Sequence, residues 1–160
     1  MTITEEKLTK KEVQEILQES NEVFTPALTC TGIDILSYSE KLSKFANFIV
    51  CKEHSDIVAY IAFYRNDEIG QLYIPLICVL PKYQHKGLAT KMFKYLKVKY
   101  RLQYRTIALE VLKQNDKAYE FYVKQGFMIA EDRKDKFLML LEKTKKRKNL
   151  TILLAIRKRK

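Results

Sequence analysis

The sequence predicts an α/β (α+β) domain with a mixed, mostly antiparallel central sheet and flanking helices. Three observations carry that prediction. Helical and strand periodicities interleave along the chain. Three strand-like runs follow one another across short polar turns, the signature of an antiparallel meander. A fourth run is then reached through one long amphipathic helix, which demands a parallel, right-handed crossover.

The elements follow in order. Thr9 and Glu12 read as a capping box before the apolar stripe Val13, Ile16 and Leu17, and this helix ends near Asn21. Residues 23–33, with Pro26 and Gly32, read as a loop or poor strand. Asp34 caps a second helix whose stripe is Ile35, Tyr38, Leu42, Phe45 and Ala46. No first strand is evident before Asp34. Residues 48–51 and 57–64 form a hairpin across a polar turn that contains a solvent-facing His54.

A second turn leads into residues 72–80, an apolar run rich in Ile, Val and Tyr that reads as a buried strand interrupted by Pro75. After a helix to about Arg101, residues 106–111 form the parallel strand. Asn115 caps a helix that Gly126 ends, and runs at 127–130 and 137–141 close the sheet.

Composition narrows the function classes. The 160 residues suit one domain with its own core. Cys30, Cys51 and Cys78 are odd in number and lack CxxC spacing, so they suggest neither a disulfide framework nor a zinc site. With His54 and His85 the only histidines, no metal centre is expected. No window approaches a membrane-spanning run and the N-terminus has no apolar signal core, so a cytoplasmic location is expected. The net charge is +11, but residues 143–160 hold nine Lys or Arg and no acid, leaving +2 for residues 1–142. The expected organisation is therefore one domain, 1–142, with a basic tail, 143–160. A domain-wide nucleic-acid surface is not indicated.

The chemistry concentrates where the 72–80 strand ends. Pro81 closes it, a polar turn follows, and Gly87 opens a helix with Leu88, Met92, Tyr95 and Leu96 on one face. The first N–H groups of a helix lack intrahelical partners and the dipole there favours negative charge. A phosphate suits that place, with His85 and Lys86 as further donors. Glycine at 87 removes the Cβ from a ligand's approach.

The run Gln84-His85-Lys86-Gly87-Leu88-Ala89 fits the pattern Q/R-x-x-G-x-G/A and resembles the signature of the GCN5-related N-acetyltransferases. A second block, the strand around Glu110 followed by Asn115, Ala118, Phe121-Tyr122 and Gly126-Phe127, is similar to that family's second motif. Together the blocks cover about residues 72–141. The resemblance implies that Gln84, His85, Lys86, Gly87, Leu88, Ala89 and Thr90 hold the pyrophosphate of acetyl-CoA. It also implies that Cys78, Val79 and Leu80 pair with the pantetheine arm, which Asn115 contacts through its amides. Asn115, Ala118 and Tyr122 share a helix face, which is compatible with this arrangement.

Acetyl transfer to an amine needs a base, because a primary ammonium carries no free lone pair. It needs a donor for the thioester oxygen, whose charge grows in the transition state. The leaving thiolate needs a proton. By resemblance, an N–H near Val79 or Leu80 serves the oxygen and Tyr122 the thiolate. A core-packing role for Tyr122 is the alternative.

Glu110, which alternates with Ile107, Leu109 and Val111, is the candidate base. Its spacing to Tyr122 is similar to that of a ribosomal-protein alanine acetyltransferase branch. An ion-paired Glu110, with proton removal through water, is the alternative. Tyr38, Lys41 and Tyr73 are candidates for lining the acceptor pocket, against solvated or core roles for each.

The expected activity is direct N-acetylation of a primary amine, either a small molecule such as an amino sugar or polyamine, or a protein N-terminus. Acetyl-CoA is the expected cosubstrate, and the resemblance leaves room for a homodimer. A non-catalytic CoA-binding or nucleic-acid-binding module using the basic tail is the alternative.

Overall fold

The computed structural model describes residues 1–143; the rest of the basic tail, 144–160, lies outside the described residues. In chain order the elements are β1 (Thr2–Glu6), α1 (Lys10–Ser20), α2 (Ile35–Phe45), β2 (Asn47–Glu53), β3 (Asp56–Asn66) and β4 (Gln71–Val79). They continue with α3 (Leu88–Lys99), β5 (Thr106–Leu112), α4 (Asp116–Gln125), β6 (Met128–Asp132) and β7 (Lys136–Glu142). One seven-stranded sheet results, ordered β1-β2-β3-β4-β5-β7-β6. Only β4 and β5 pair in parallel; every other neighbour is antiparallel.

Local chemistry explains the helix starts. The Glu12 N–H donates to Thr9 Oγ1 at 3.2 Å and the Thr9 N–H donates back to Glu12 at 2.7 Å, a closed capping box. Asp34 accepts from the Ser37 N–H at 2.9 Å. Helices α3 and α4 cover one face of the sheet, where Met92, Phe93 and Leu96 are fully buried. Each such side chain contributes about 2 kcal/mol through burial. Helices α1 and α2 cover the other face with Val13, Ile16, Leu17 and Leu42.

Of the two readings of residues 23–33, the loop is the one observed, with 3-10 turns at Asn21–Val23 and Leu28–Thr31. One expectation is corrected. The first strand lies at the chain start, where Thr2–Glu6 pairs antiparallel with β2. Its sequence carries one aliphatic residue, Ile3, so pairing rather than apolar patterning makes it a strand.

The register of β4 positions everything that follows. Ala62 faces Leu76 but Tyr64 faces Tyr73, so Ile74 and Pro75 together oppose Phe63 in a β-bulge. A bulge tolerates proline, because the ladder is already interrupted there. The bulge also switches faces: Leu72 and Ile74 pack beneath α3 and α4, whereas Leu76 and Cys78 pack beneath α1 and α2.

Candidate active site

Strands β4 and β5 pair only from Gln71–Thr106 to Ile74–Leu109. Beyond the bulge β4 stays with β3 while β5 continues against β7, so a gap opens between them. The Leu80 N–H donates to Val58 O at 3.0 Å. Antiparallel alternation then directs the polar groups of Cys78 towards β3 and the N–H groups of Ile77 and Val79 towards the gap.

Of Cys78, Val79 and Leu80, only Val79 presents its N–H to the gap, and Ile77 joins it. The Cys78 side chain is buried on the α1/α2 face, where burial pushes its thiol up to about 12.

The turn after β4 is held by its own groups. Gln84 Nε2 donates to Val79 O at 2.9 Å, so this side chain ties the turn to the strand end and is not directed at an anion. His85 and Gly87 both have positive φ, 61° and 74°. Gly87 is the N-cap of α3, and no side chain caps that helix. The opening N–H groups of Leu88, Ala89 and Thr90 therefore lack the side-chain acceptor that caps α1, α2 and α4. A Cβ built at Gly87 would meet nothing within 4 Å, so the space beside the turn is open. Glycine is favoured here by its left-handed φ. The Lys82 and Lys86 ammonium groups each stand 5.5 Å from the Tyr83 ring centre, at the same turn.

Across the gap, Asn115 Oδ1 accepts from the Ala118 N–H at 3.2 Å and so caps α4, leaving the amide NH2 of Asn115 as its spare group. Tyr122 is 7% exposed. The rings of Phe93, Phe121 and Phe127 surround it with centroids at 6.4, 5.6 and 5.8 Å. Burial raises its phenol pKa, so it is protonated at neutral pH. The aromatic packing anticipated for this residue is present.

The opposite face of the sheet carries the acidic centre. Glu110 accepts from the Tyr73 hydroxyl at 3.0 Å and pairs with Arg133 and Lys136, each at 3.2 Å. Partial burial works to raise its pKa, but the Lys136 and Tyr73 hydrogen bonds and the two cations prevail and hold it below the usual carboxylate range. Burial, then the Glu110 charge, pushes the Tyr73 phenol up to about 12. Tyr64 lies directly across from Tyr73, and its hydroxyl is buried without a hydrogen-bond partner. Tyr38 of α2 packs on the same side, while the Lys41 ammonium stands 6.0 Å from the Tyr64 ring centre.

Sequence reasoning missed the Arg133–Lys136 clamp. These residues flank the β6–β7 turn, and nothing local marks them as partners of a residue on β5.

Among the described residues, no group of three or more His, Cys, Asp or Glu is placed to hold a metal ion, and no helix is long and apolar enough to cross a membrane. The arrangement offers an anion-accepting turn, a strand edge with outward N–H groups, a buried phenol and a clamped carboxylate around one splayed strand pair.

No curated protein gives a significant sequence match. Solved structures do. The PaiA N-acetyltransferase of Thermoplasma acidophilum, in complex with coenzyme A, superimposes with a TM-score of 0.71 at 19% identity, covering 89% of this chain and 100% of that one. The ribosomal-protein-S18-alanine N-acetyltransferase of Escherichia coli gives 0.70 at 17% identity, covering 92% and 98%. At such identities the likeness shows the fold. The model of the acetyltransferase (GNAT) family matches residues 11–127, from the start of α1 to the end of the second block, and the chain belongs to that family.

Proposed function

We propose that the protein transfers the acetyl group of acetyl-CoA to a primary amine, with a small molecule such as an amino sugar or polyamine preferred over a protein N-terminus. The observation that carries this reading is the gap between β4 and β5, with the uncapped, Gly87-led start of α3 at its mouth. The fold neighbour solved with coenzyme A supports it. Acetyl-CoA, when bound, supplies an acetyl group activated as a thioester. The residues present fit it. The N–H groups from His85 to Thr90, with Lys82 and Lys86, would hold its diphosphate. The outward edge of β4 at Val79, next to the turn, would hold a pantetheine amide.

Each remaining requirement falls to a named group. The Ile77 N–H, farther from the diphosphate turn than Val79 and fixed before any reaction, is the donor for the thioester oxygen as its charge grows. Tyr122, kept protonated by burial, donates to the departing thiolate. Glu110 stays ionised at neutral pH, so it attracts and orients the acceptor's ammonium. A carboxylate held below its ordinary pKa is a weak direct base, so the ammonium proton leaves through water that Glu110 orients. This assignment keeps Glu110 in the chemistry and limits what its side chain does.

The test is thiol release from acetyl-CoA over a panel of amines, for the native protein and Tyr122→Phe. The phenylalanine variant is expected to lose roughly 100-fold in turnover, the low end of what a positioned acid contributes. Its acetyl-CoA affinity and melting temperature should stay unchanged. Equal turnover in both proteins removes Tyr122 from the mechanism, and no release with any amine counts against the transferase reading.

A further inference from the structure

The near-neutral total for residues 1–142 conceals a separation of charge. Between Glu68 and Glu110 the chain holds eight Lys or Arg and no acid. The remainder of residues 1–142 sums to −6. The acid-free stretch runs from β4 through α3 to the start of β5; its strand residues carry no cation, so the charge is displayed by α3, with four of the eight, and by the turns on either side of it. Leu88, Met92, Phe93 and Leu96 turn inward. Lys91, Lys94 and Arg101 are exposed and Lys97 is half-buried, at spacings of three, three and four residues, so they follow one side of the helix and the turn after it. Among the described residues none of these four makes an ion pair, whereas Lys99 on the same helix meets Glu5 at 2.6 Å.

Ordinary helix electrostatics accounts for only part of this. Lys97 and Lys99 sit in the last turn, where the dipole favours cations. Lys91 stands in the first half, where it does not, Lys94 stands at the middle, and no acid in the helix offsets them. Like charges three and four residues apart also repel along the whole row. The row is therefore a local cost to α3, offset when an anionic partner lies along it.

The cofactor's diphosphate does not account for the row either. At 1.5 Å per residue, Lys94 and Lys97 lie roughly 10 and 15 Å along the helix from Gly87.

We infer that the outer side of α3, through Lys94, Lys97 and Arg101, docks the phosphate backbone of a nucleic acid, with single-stranded RNA as the form to test. Lys94 and Lys97 have Cβ atoms about 5–6 Å apart on one side of α3, and Arg101 continues their line into the turn, so the charges form a linear array like that of a phosphate backbone. An acidic protein surface fits the charge without requiring a linear array. An anionic membrane would call for a broader apolar face than Val98 and Leu102, 51% and 84% exposed, provide.

The experiment uses the full chain and a fluorescent uridine 20-mer, with anisotropy followed across salt concentrations. Lys94→Gln/Lys97→Gln/Arg101→Gln is compared with a tail control, Lys145→Gln/Lys146→Gln/Arg147→Gln/Lys148→Gln. The α3 variant should bind at least tenfold more weakly at low salt. Its slope of log affinity against log salt should be shallower by about 2, since each single-strand phosphate contact contributes about 0.7. Its acetyl-CoA affinity should not change. Three results overturn the inference: no RNA binding by the native chain, loss confined to the tail control, or poly-glutamate or anionic vesicles bound as tightly as RNA.

Discussion

Tyr73 donates a 3.0 Å hydrogen bond to Glu110, the first residue of β5 beyond its pairing with β4. The contact spans the point where the two strands part, so the acidic centre on one face and the open N–H edge of β4 share one structural origin. Both depend on the bulge at Ile74 and Pro75, which ends the parallel ladder.

The state of Glu110 is readable from stability. Its folded pKa is depressed, so its pairing contributes stability that is present above the ordinary carboxylate range and lost as pH falls through the folded value. Glu110→Gln should cost about 1 kcal/mol at pH 7, a charged hydrogen-bonded group discounted for partial exposure. The deficit should shrink below pH ~4, as the native carboxyl also becomes neutral. Denaturant melts at several pH values check this, and a constant deficit down to pH ~3 would show that the pairing contributes nothing.

Asn115 separates folding from binding. Its oxygen caps α4 while its NH2 is spare. Asn115→Asp should keep the cap and the melting temperature yet weaken acetyl-CoA binding several-fold, whereas Asn115→Ala should also lose about 1 kcal/mol of stability. Unchanged cofactor affinity in the aspartate variant would reduce Asn115 to a helix cap.

Gly126 ends α4 at φ 100°, and a Cβ there would meet Leu141 Cδ1 at 3.1 Å. Gly32 has φ 84° with nothing near its Cβ position. Alanine at 32 should cost about 1 kcal/mol through its backbone conformation alone. Alanine at 126 should cost roughly 1 kcal/mol more, because Leu141 must move. Thermal melts that rank the two equally would show that Leu141 yields freely.

These cases mark what the sequence made legible. The Thr9, Asp34 and Asn115 caps and the Gly87 and Gly126 helix boundaries rest on contacts within a few residues, and the meander and the parallel crossover follow from the order and type of elements, all of which local pattern reports directly. The family resemblance was legible for the same reason, since both motif blocks are short strand–turn–helix runs. Strand β1 was not, because a mostly polar pentapeptide becomes a strand only through β2. The bulge was not, because it is a mismatch of register between β3 and β4. Pro75 was its one trace. The clamp on Glu110 was hidden because its partners lie 23 and 26 residues further along the chain. The basic row on α3 was legible in principle, but summing charge over residues 1–142 averaged it away.

The central claim is that the turn leading into α3 receives the diphosphate of acetyl-CoA, and calorimetric titration of acetyl-CoA tests it most directly. The native protein should bind with an affinity on the order of micromolar. Gly87→Glu, which places an anion at that turn and strains its left-handed backbone, should lose at least tenfold, with a melting curve showing that the variant remains folded. Undetectable binding by the native protein, or equal binding by a folded Gly87→Glu, would contradict the claim.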